Sequence, residues 1–213
     1  MPEASKPDAL QVAVIDYDAG NTLSVTRALE KVGAGVDLTS DPDRVKDADA
    51  LVLPGVGAFG DCMRKLSERG MDAACREAFR SGKPFLGVCV ALQVIFDDSE
   101  ESPGVEGLGL LPGSVRRFKT GDLKVPHMGW NEMRLVRDHP VLDGLDGEDF
   151  YFVHSYYPEP AEPADLLGET EYGVSFCAAA GRDNLVAVQF HPEKSSRAGL
   201  GLYENFLAWS RTL

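Results

Sequence analysis

The run Phe85-Leu86-Gly87-Val88-Cys89-Val90-Ala91-Leu92 constrains this chain more than any other stretch. Phe85, Leu86 and Val88 are the kind of short apolar run that builds a strand buried on both faces. Val90, Ala91, Leu92, Val94, Ile95 and Phe96 continue without a turn signal, so a buried helix is expected at once. Cys89 lies between, with Gly87 two residues before it and Ala91 two after. That spacing is that of a nucleophile elbow, where a strand turns sharply into a helix and bulky flanking side chains would collide. Cys89 would stand at a helix N-terminus, whose free N–H groups attract negative charge. Taken alone, the stretch fits a buried structural cysteine equally well.

The residues upstream repeat a strand and helix rhythm. Val12 to Asp16 reads as a strand, and Gly20-Asn21-Thr22 then caps a helix carrying Leu23, Ala28, Leu29 and Val32. A second strand is expected over Val36 to Thr39, a helix start at Asp41-Pro42, and a third strand over Ala50 to Leu53. Pro54-Gly55-Val56-Gly57-Ala58-Phe59-Gly60 follows directly, a loop whose glycines let backbone N–H groups approach a ligand. Helices over Asp61 to Glu68 and Met71 to Arg80 lead to the Cys89 strand. The rhythm predicts an α/β fold with a mostly parallel central sheet flanked by helices. Sites in such sheets form at the carboxyl ends of the strands, where the glycine loop and Cys89 both lie.

Beyond Phe96 the rhythm changes. Asp97 to Gly104 reads as an acidic, solvated turn. Extended pieces are expected over Val115 to Phe118, Lys124 to His127, Trp130 to Leu135, Asp149 to Tyr157, Val174 to Ala180 and Leu185 to Phe190. An amphipathic helix over Leu200 to Ser210 then closes the chain. No repeat is visible, and one domain over residues 11–213 follows a flexible tail over residues 1–10. The net charge of −13 repels phosphate backbones, so nucleic acid is not expected as a partner. Cys62, Cys75, Cys89 and Cys177 contain no C-x-x-C pair, which fits neither a zinc site nor a dense disulfide framework. The first residues lack the apolar stretch of a signal peptide, and no apolar run approaches the ~20 residues needed to span a bilayer. A cytoplasmic protein with reduced thiols, and no membrane contact, is expected.

Leu185 to Phe190 delivers His191-Pro192-Glu193 at a strand end. Pro192 biases His191 toward an extended conformation, in which side chains two apart point the same way. The Glu193 carboxylate can then accept from one imidazole nitrogen while the other faces outward. A nucleophile needs a base, and the base needs an orienting group. Cys89, His191 and Glu193 supply one of each.

With Pro54-Gly55-Val56-Gly57, Gly87-Val88-Cys89 plus Gln93, and Gln189-Phe190-His191-Pro192-Glu193, the chain resembles the class I (triad-type) glutamine amidotransferases. Four further pieces narrow the resemblance: Asp16-Tyr17 with Gly20-Asn21, Pro126-His127-Met128-Gly129-Trp130-Asn131, Tyr151-Phe152-Val153-His154-Ser155-Tyr156-Tyr157, and Lys194-Ser195 after Glu193. These are similar to the glutaminase subunits of imidazole glycerol phosphate synthases, and the Pro126-His127-Met128-Gly129-Trp130-Asn131 and His154-Ser155-Tyr156-Tyr157 segments speak against the glutaminases of anthranilate or aminobenzoate synthesis. The resemblance implies a flavodoxin-like fold in which Cys89 attacks the glutamine amide, His191 moves the protons and Glu193 orients His191. It implies an oxyanion hole from Val90 and the Gly55-Val56-Gly57 loop, and glutamine binding by Gln93 with the backbone of Ser155 and Tyr156. His127, Trp130, His154 and Lys194 become candidates for an interface or gate. L-glutamine would be the substrate, a (β/α)₈-barrel cyclase subunit the partner in a heterodimer, and no cofactor or metal is implied. The family usually has glycine where this chain has Ala91, and glycine or a similarly small residue at Asp18. Ala91 is expected to be tolerated; a binding subunit with a silent glutaminase is the alternative it raises.

Overall fold

The strand and helix signals of the first half become a parallel sheet. The computed structural model describes residues 9–18, 20–119, 121 and 123–213, so all but Ala9 and Leu10 of the expected tail lie outside the described residues. Strands β1 (Gln11–Ile15), β2 (Gly35–Thr39), β3 (Ala50–Gly55) and β4 (Phe85–Cys89) pair in the order β2-β1-β3-β4, all parallel. β3 and β4 are buried along their whole length, as continuous apolar strands must be when helices cover both faces. Those helices are α1 (Thr22–Lys31), α2 (Pro42–Asp47), α3 (Phe59–Glu68), α4 (Met71–Arg80) and the single turn α5 (Val90–Val94). α2 begins as its sequence dictates: Asp41 accepts from the Asp43 N–H, and Pro42, which has no N–H to lose, takes the first position. α1 buries Val25, Ala28 and Leu29, while Leu23 points outward and is exposed.

The second half supplies β5 (Asp98–Ser99), β6 (Gly113–Arg117), β7 (His127–Leu135), β8 (Glu148–His154), β9 (Tyr156–Pro160), β10 (Leu166–Glu171), β11 (Ser175–Arg182), β12 (Leu185–Val188) and the helix α6 (Ser196–Ser210). β12 joins β4 in parallel, and β11, β10, β7 and β8 extend the sheet antiparallel to nine strands. β5, β6 and β9 form a separate small sheet. The fold is thus α/β with a mixed central sheet.

Three expectations change here. The pieces around 124–127 and 130–135 are one strand, β7, starting at His127, because Gly129 at φ 142° lets the chain continue through the gap. The single strand expected over 149–157 is two, broken at Ser155, with β8 in the large sheet and β9 in the small one. β10 was not anticipated. Its Gly-Glu-Thr-Glu carries little apolar signal, and it is held by pairing with β11 and β7.

Candidate active site

The carboxyl ends of β3, β4 and β12 deliver the glycine loop, Cys89 and His191 to one edge of the sheet. Cys89 has φ 60° and ψ −113°, a sharp turn that a non-glycine residue adopts only when its surroundings impose it. The surroundings are tight. A Cβ on Gly55 would lie 2.8 Å from the Ala91 nitrogen, and one on Gly87 would lie 2.8 Å from Ala187 Cβ and 3.3 Å from Ala91 Cβ. The bare backbone at Gly55 and Gly87 leaves the space beside the Ala91 methyl.

His191 Nδ1 donates to Glu193 Oε1 at 2.9 Å, and the pair is almost wholly buried. Glu193 does not reach His191 by strand alternation: only His191 is extended, and Pro192–Lys194 is a 3₁₀ turn opened by the proline. Burial alone would lower the His191 pKa, but hydrogen bonds with Cys89 and with Glu193 outweigh it and raise the imidazole to about 9. Burial would likewise raise the Glu193 carboxyl, but His191 and Asn21 hold it below the usual range. Sulfur and imidazole therefore meet at one cavity, with the carboxylate bonded behind the imidazole to complete the line.

Asn21 was expected to cap α1. It sits at the N-cap position without a side-chain cap bond, and its Nδ2 donates to Glu193 Oε1 at 3.1 Å. Glu193 Oε2 is buried with no hydrogen-bond partner, so both donors converge on a single oxygen. A polar residue before a helix reads as a cap, and nothing in the sequence hints at a contact 172 residues away.

The line opens on a cavity of about 310 Å³, near the lower end for small-ligand sites. Val56, Gly57, Cys89, Val90 and His191 line it together with Gln93, Glu101, His154, Ser155 and Tyr156. Gly55 is not on the cavity wall but packs behind the elbow, opposite Cys89 in the β3–β4 register. Two buried donors anchor the loop: Tyr17 donates to the Pro54 carbonyl at 2.9 Å, and Cys62 Sγ to the Val56 carbonyl at 3.5 Å. Burial raises the Cys62 thiol to about 11 and Tyr17 well above its ordinary value, so both keep the proton they donate. With the Val56 carbonyl turned toward Cys62, the N–H of Gly57 in the same trans peptide points the opposite way.

The segment read as a solvated acidic turn is partly structural. Glu101 Oε2 accepts from the Phe59 N–H at 2.7 Å and Ser102 Oγ from the Gly60 N–H at 3.0 Å, so the two cap α3 from outside it. Glu101 is also the one carboxylate among the cavity-lining residues. Of the interface candidates, Trp130 and Lys194 are exposed around Tyr151, with Lys194 Nζ 5.7 Å from its ring centre. His127 and His154 are buried, which removes them from any outer face. Asp18 adopts φ 59°, which explains a preference for glycine; here Lys65 donates to its carbonyl and Arg69 to its carboxylate.

A larger hollow, about 1080 Å³, lies at the opposite edge of the parallel strands beside Asp49, Lys83 and Pro84. Its Lys83 ammonium is spent on the Lys46 and Ala48 carbonyls, and no nucleophile or base converges there. Among the described residues no helix is long and apolar enough to cross a membrane, and no cluster of metal-binding side chains is found.

Residues 13–208 match the family described as glutamine amidotransferase class-I. The chain is 51% identical over 196 residues to the imidazole glycerol phosphate synthase subunit HisH of Methanothermobacter thermautotrophicus, covering 92% of this chain and 97% of that one. It is 50% identical over 196 residues to the subunit of the same name from Moorella thermoacetica, covering 92% and 93%. Among solved structures, PurLQS of Thermotoga maritima superposes with a TM-score of 0.75 at 16% identity over 94% of this chain and 99% of that one. A structure described as a glutamine amidotransferase gives 0.74 at 18% over 94% and 98%. At such identities these two speak for the fold alone.

Proposed function

The chain belongs to the class-I glutamine amidotransferases, and from that premise we propose that it is the glutaminase subunit of an imidazole glycerol phosphate synthase. It is an enzyme of histidine biosynthesis that works on glutamine with a partner subunit.

The geometry supports the following residue roles. Cys89 gives its proton to His191 as its sulfur attacks the side-chain carbonyl carbon of glutamine. The negative oxygen that forms is met by the Val90 N–H and one N–H of the Gly55-Val56-Gly57 loop, each such donor typically worth ~10²–10³ in rate. His191 passes its proton to the amide nitrogen, ammonia leaves, and a thioester remains on Cys89. His191 then takes a proton from water, whose oxygen attacks the thioester and releases glutamate. Glu193 keeps His191 oriented throughout. Gln93 and the backbone of Ser155 and Tyr156 hold the α-groups of the substrate, and Glu101 supplies negative charge for its α-ammonium. Ammonia passes to a (β/α)₈-barrel cyclase, which forms imidazole glycerol phosphate and aminoimidazole carboxamide ribotide. Exposed Met128, Trp130 and Lys194 are the side chains that offer that partner a face. The setting is the cytoplasm.

The observation that carries this reading is the Cys89–His191–Glu193 line opening on a cavity of substrate size. Glutamate release should be measured with the cyclase subunit and its nucleotide ligand present. Cys89→Ala should abolish it and leave ammonia-dependent cyclisation intact; full turnover in that variant would refute the assignment. The silent-glutaminase alternative, raised by Ala91, predicts no labelling of Cys89 by a glutamine-analogue electrophile.

A further inference from the structure

Two buried histidines outside the triad belong to a hydrogen-bonded chain whose ends determine every proton in it. Asn131 Nδ2 donates to the Glu171 carbonyl at 2.9 Å, and Asn131 Oδ1 accepts from the Glu132 N–H at 2.9 Å, which fixes that amide. The second Nδ2 proton meets His127 Nε2 at 3.3 Å, so this nitrogen accepts and the His127 proton sits on Nδ1. His127 Nδ1 lies 3.3 Å from His154 Nε2, which must therefore accept in turn. The His154 proton is then on Nδ1, donating to the Tyr156 carbonyl at 2.8 Å. Gln93 Nε2 donates to the same carbonyl at 3.0 Å and to Gln189 Oε1 at 3.1 Å.

Such a chain runs one way, from the end of β10 to the cavity wall, and holds only while both imidazoles are neutral. Burial secures this by lowering His127 to about 4 and His154 to about 3; for His154 the bond to Tyr156 opposes burial without overcoming it. The rings of Phe118, Phe152 and Phe176 enclose the pair.

Tyr156 faces Arg117 across the small sheet, and the Phe118 N–H donates to the Ser155 carbonyl at 3.1 Å. That pattern makes Arg117 and Tyr156 a non-hydrogen-bonded pair, so the Tyr156 N–H and C=O both turn away from β6. Its carbonyl is pinned by His154 and Gln93, and its N–H lies trans to the Ser155 carbonyl that Phe118 holds, so it too points away from β6. We propose that His127 and His154 are positioning residues: they hold Tyr156 so that its N–H meets the α-carboxylate of glutamine, while Gln93 keeps its oxygen free for the α-ammonium. The inference rests on the cavity being the glutamine site, and it gives both histidines a task in substrate binding rather than in chemistry.

Two measurements test it. Long-range ¹H–¹⁵N spectra of the histidine-labelled chain should show, among its four histidines, two neutral rings protonated on Nδ1 at neutral pH. Protonation on Nε2, or a charged ring at either position, overturns the chain. With the partner subunit present, His154→Leu should raise KM for glutamine at least about tenfold while kcat stays within about threefold. His154→Asn, whose Nδ2 replaces the ring Nδ1 donor, should bring KM back to within about threefold of wild type. His127→Leu, one link further away, should give a smaller rise in KM and decides the matter if His154→Leu does not fold. An unchanged KM in the leucine variants, or kcat falling in step with KM, refutes the positioning role. Absence of glutamine turnover in the wild-type complex would instead strike the glutaminase reading, leaving the spectrum to judge the chain.

Discussion

Asn21 gives a sharp test of how the triad is held, because the capping role its sequence suggests and the contact the structure shows respond oppositely to one substitution. As a helix cap, Asn21→Asp should be neutral, since the two residues cap equally well, and Asn21→Ala should cost about 0.5–2 kcal/mol of stability. As the second donor to Glu193 Oε1, it makes a hydrogen bond to a charged acceptor, typically worth about 1.5–3 kcal/mol. Losing that in Asn21→Ala corresponds to about a 10- to 100-fold fall in kcat, with KM little changed because Asn21 is not on the cavity wall. Asn21→Asp places a carboxylate about 3 Å from another. Their repulsion is about 5 kcal/mol at an effective dielectric of 20, enough for one carboxyl to take up a proton. The aspartate variant should therefore be the worse of the two. Steady-state glutamate release in the complex, with thermal denaturation alongside, separates the cases. A wild-type kcat in Asn21→Asp would show that the contact does not orient His191.

Gly55→Ala would put a methyl 2.8 Å from the Ala91 nitrogen, so the elbow backbone must move. Overpacking of about 1–3 kcal/mol and a nucleophile displaced by ~1 Å predict roughly a 10²-fold loss of glutaminase in a chain that circular dichroism shows still folded. Undiminished turnover would contradict it. The raised pKa of His191 means that the folded chain holds its proton more tightly than the unfolded one. That stabilisation is full below about pH 6.5 and disappears as pH rises through about 9. Cys89→Ala removes the hydrogen bond with the sulfur and should move the loss to lower pH; identical stability–pH curves from chemical denaturation would refute the coupling.

The parallel half of the fold was legible because its signals are local and redundant. Met71–Arg80 forms a helix over the residues its pattern marks, and Pro42 opens α2 where proline must stand. The antiparallel half was harder. β10 owes its strand to its neighbours, and Ser155 divides two strands without any glycine or proline to announce it. In the site, spacing singled out Cys89, His191 and Glu193, which the fold brings together. Asn21 and Glu101 went unnoticed for opposite reasons. One carries a convincing local signal for a different task, and the other lies in an acidic run whose ordinary fate is water.

Ser155 also decides how part of the cavity lining is mounted. The nucleophile and its base hang from β4 and β12 at the middle of the large sheet, whereas His154 and Tyr156 are the last rung of one sheet and the first of another. At the outer margin, where Met128 and Trp130 stand clear of the surface, Trp130 faces Tyr151 on β8, and the Tyr151 carbonyl accepts from the His191 N–H at 2.9 Å. One outer strand thus carries both a residue of the cavity wall, His154, and a tether to the imidazole, Tyr151.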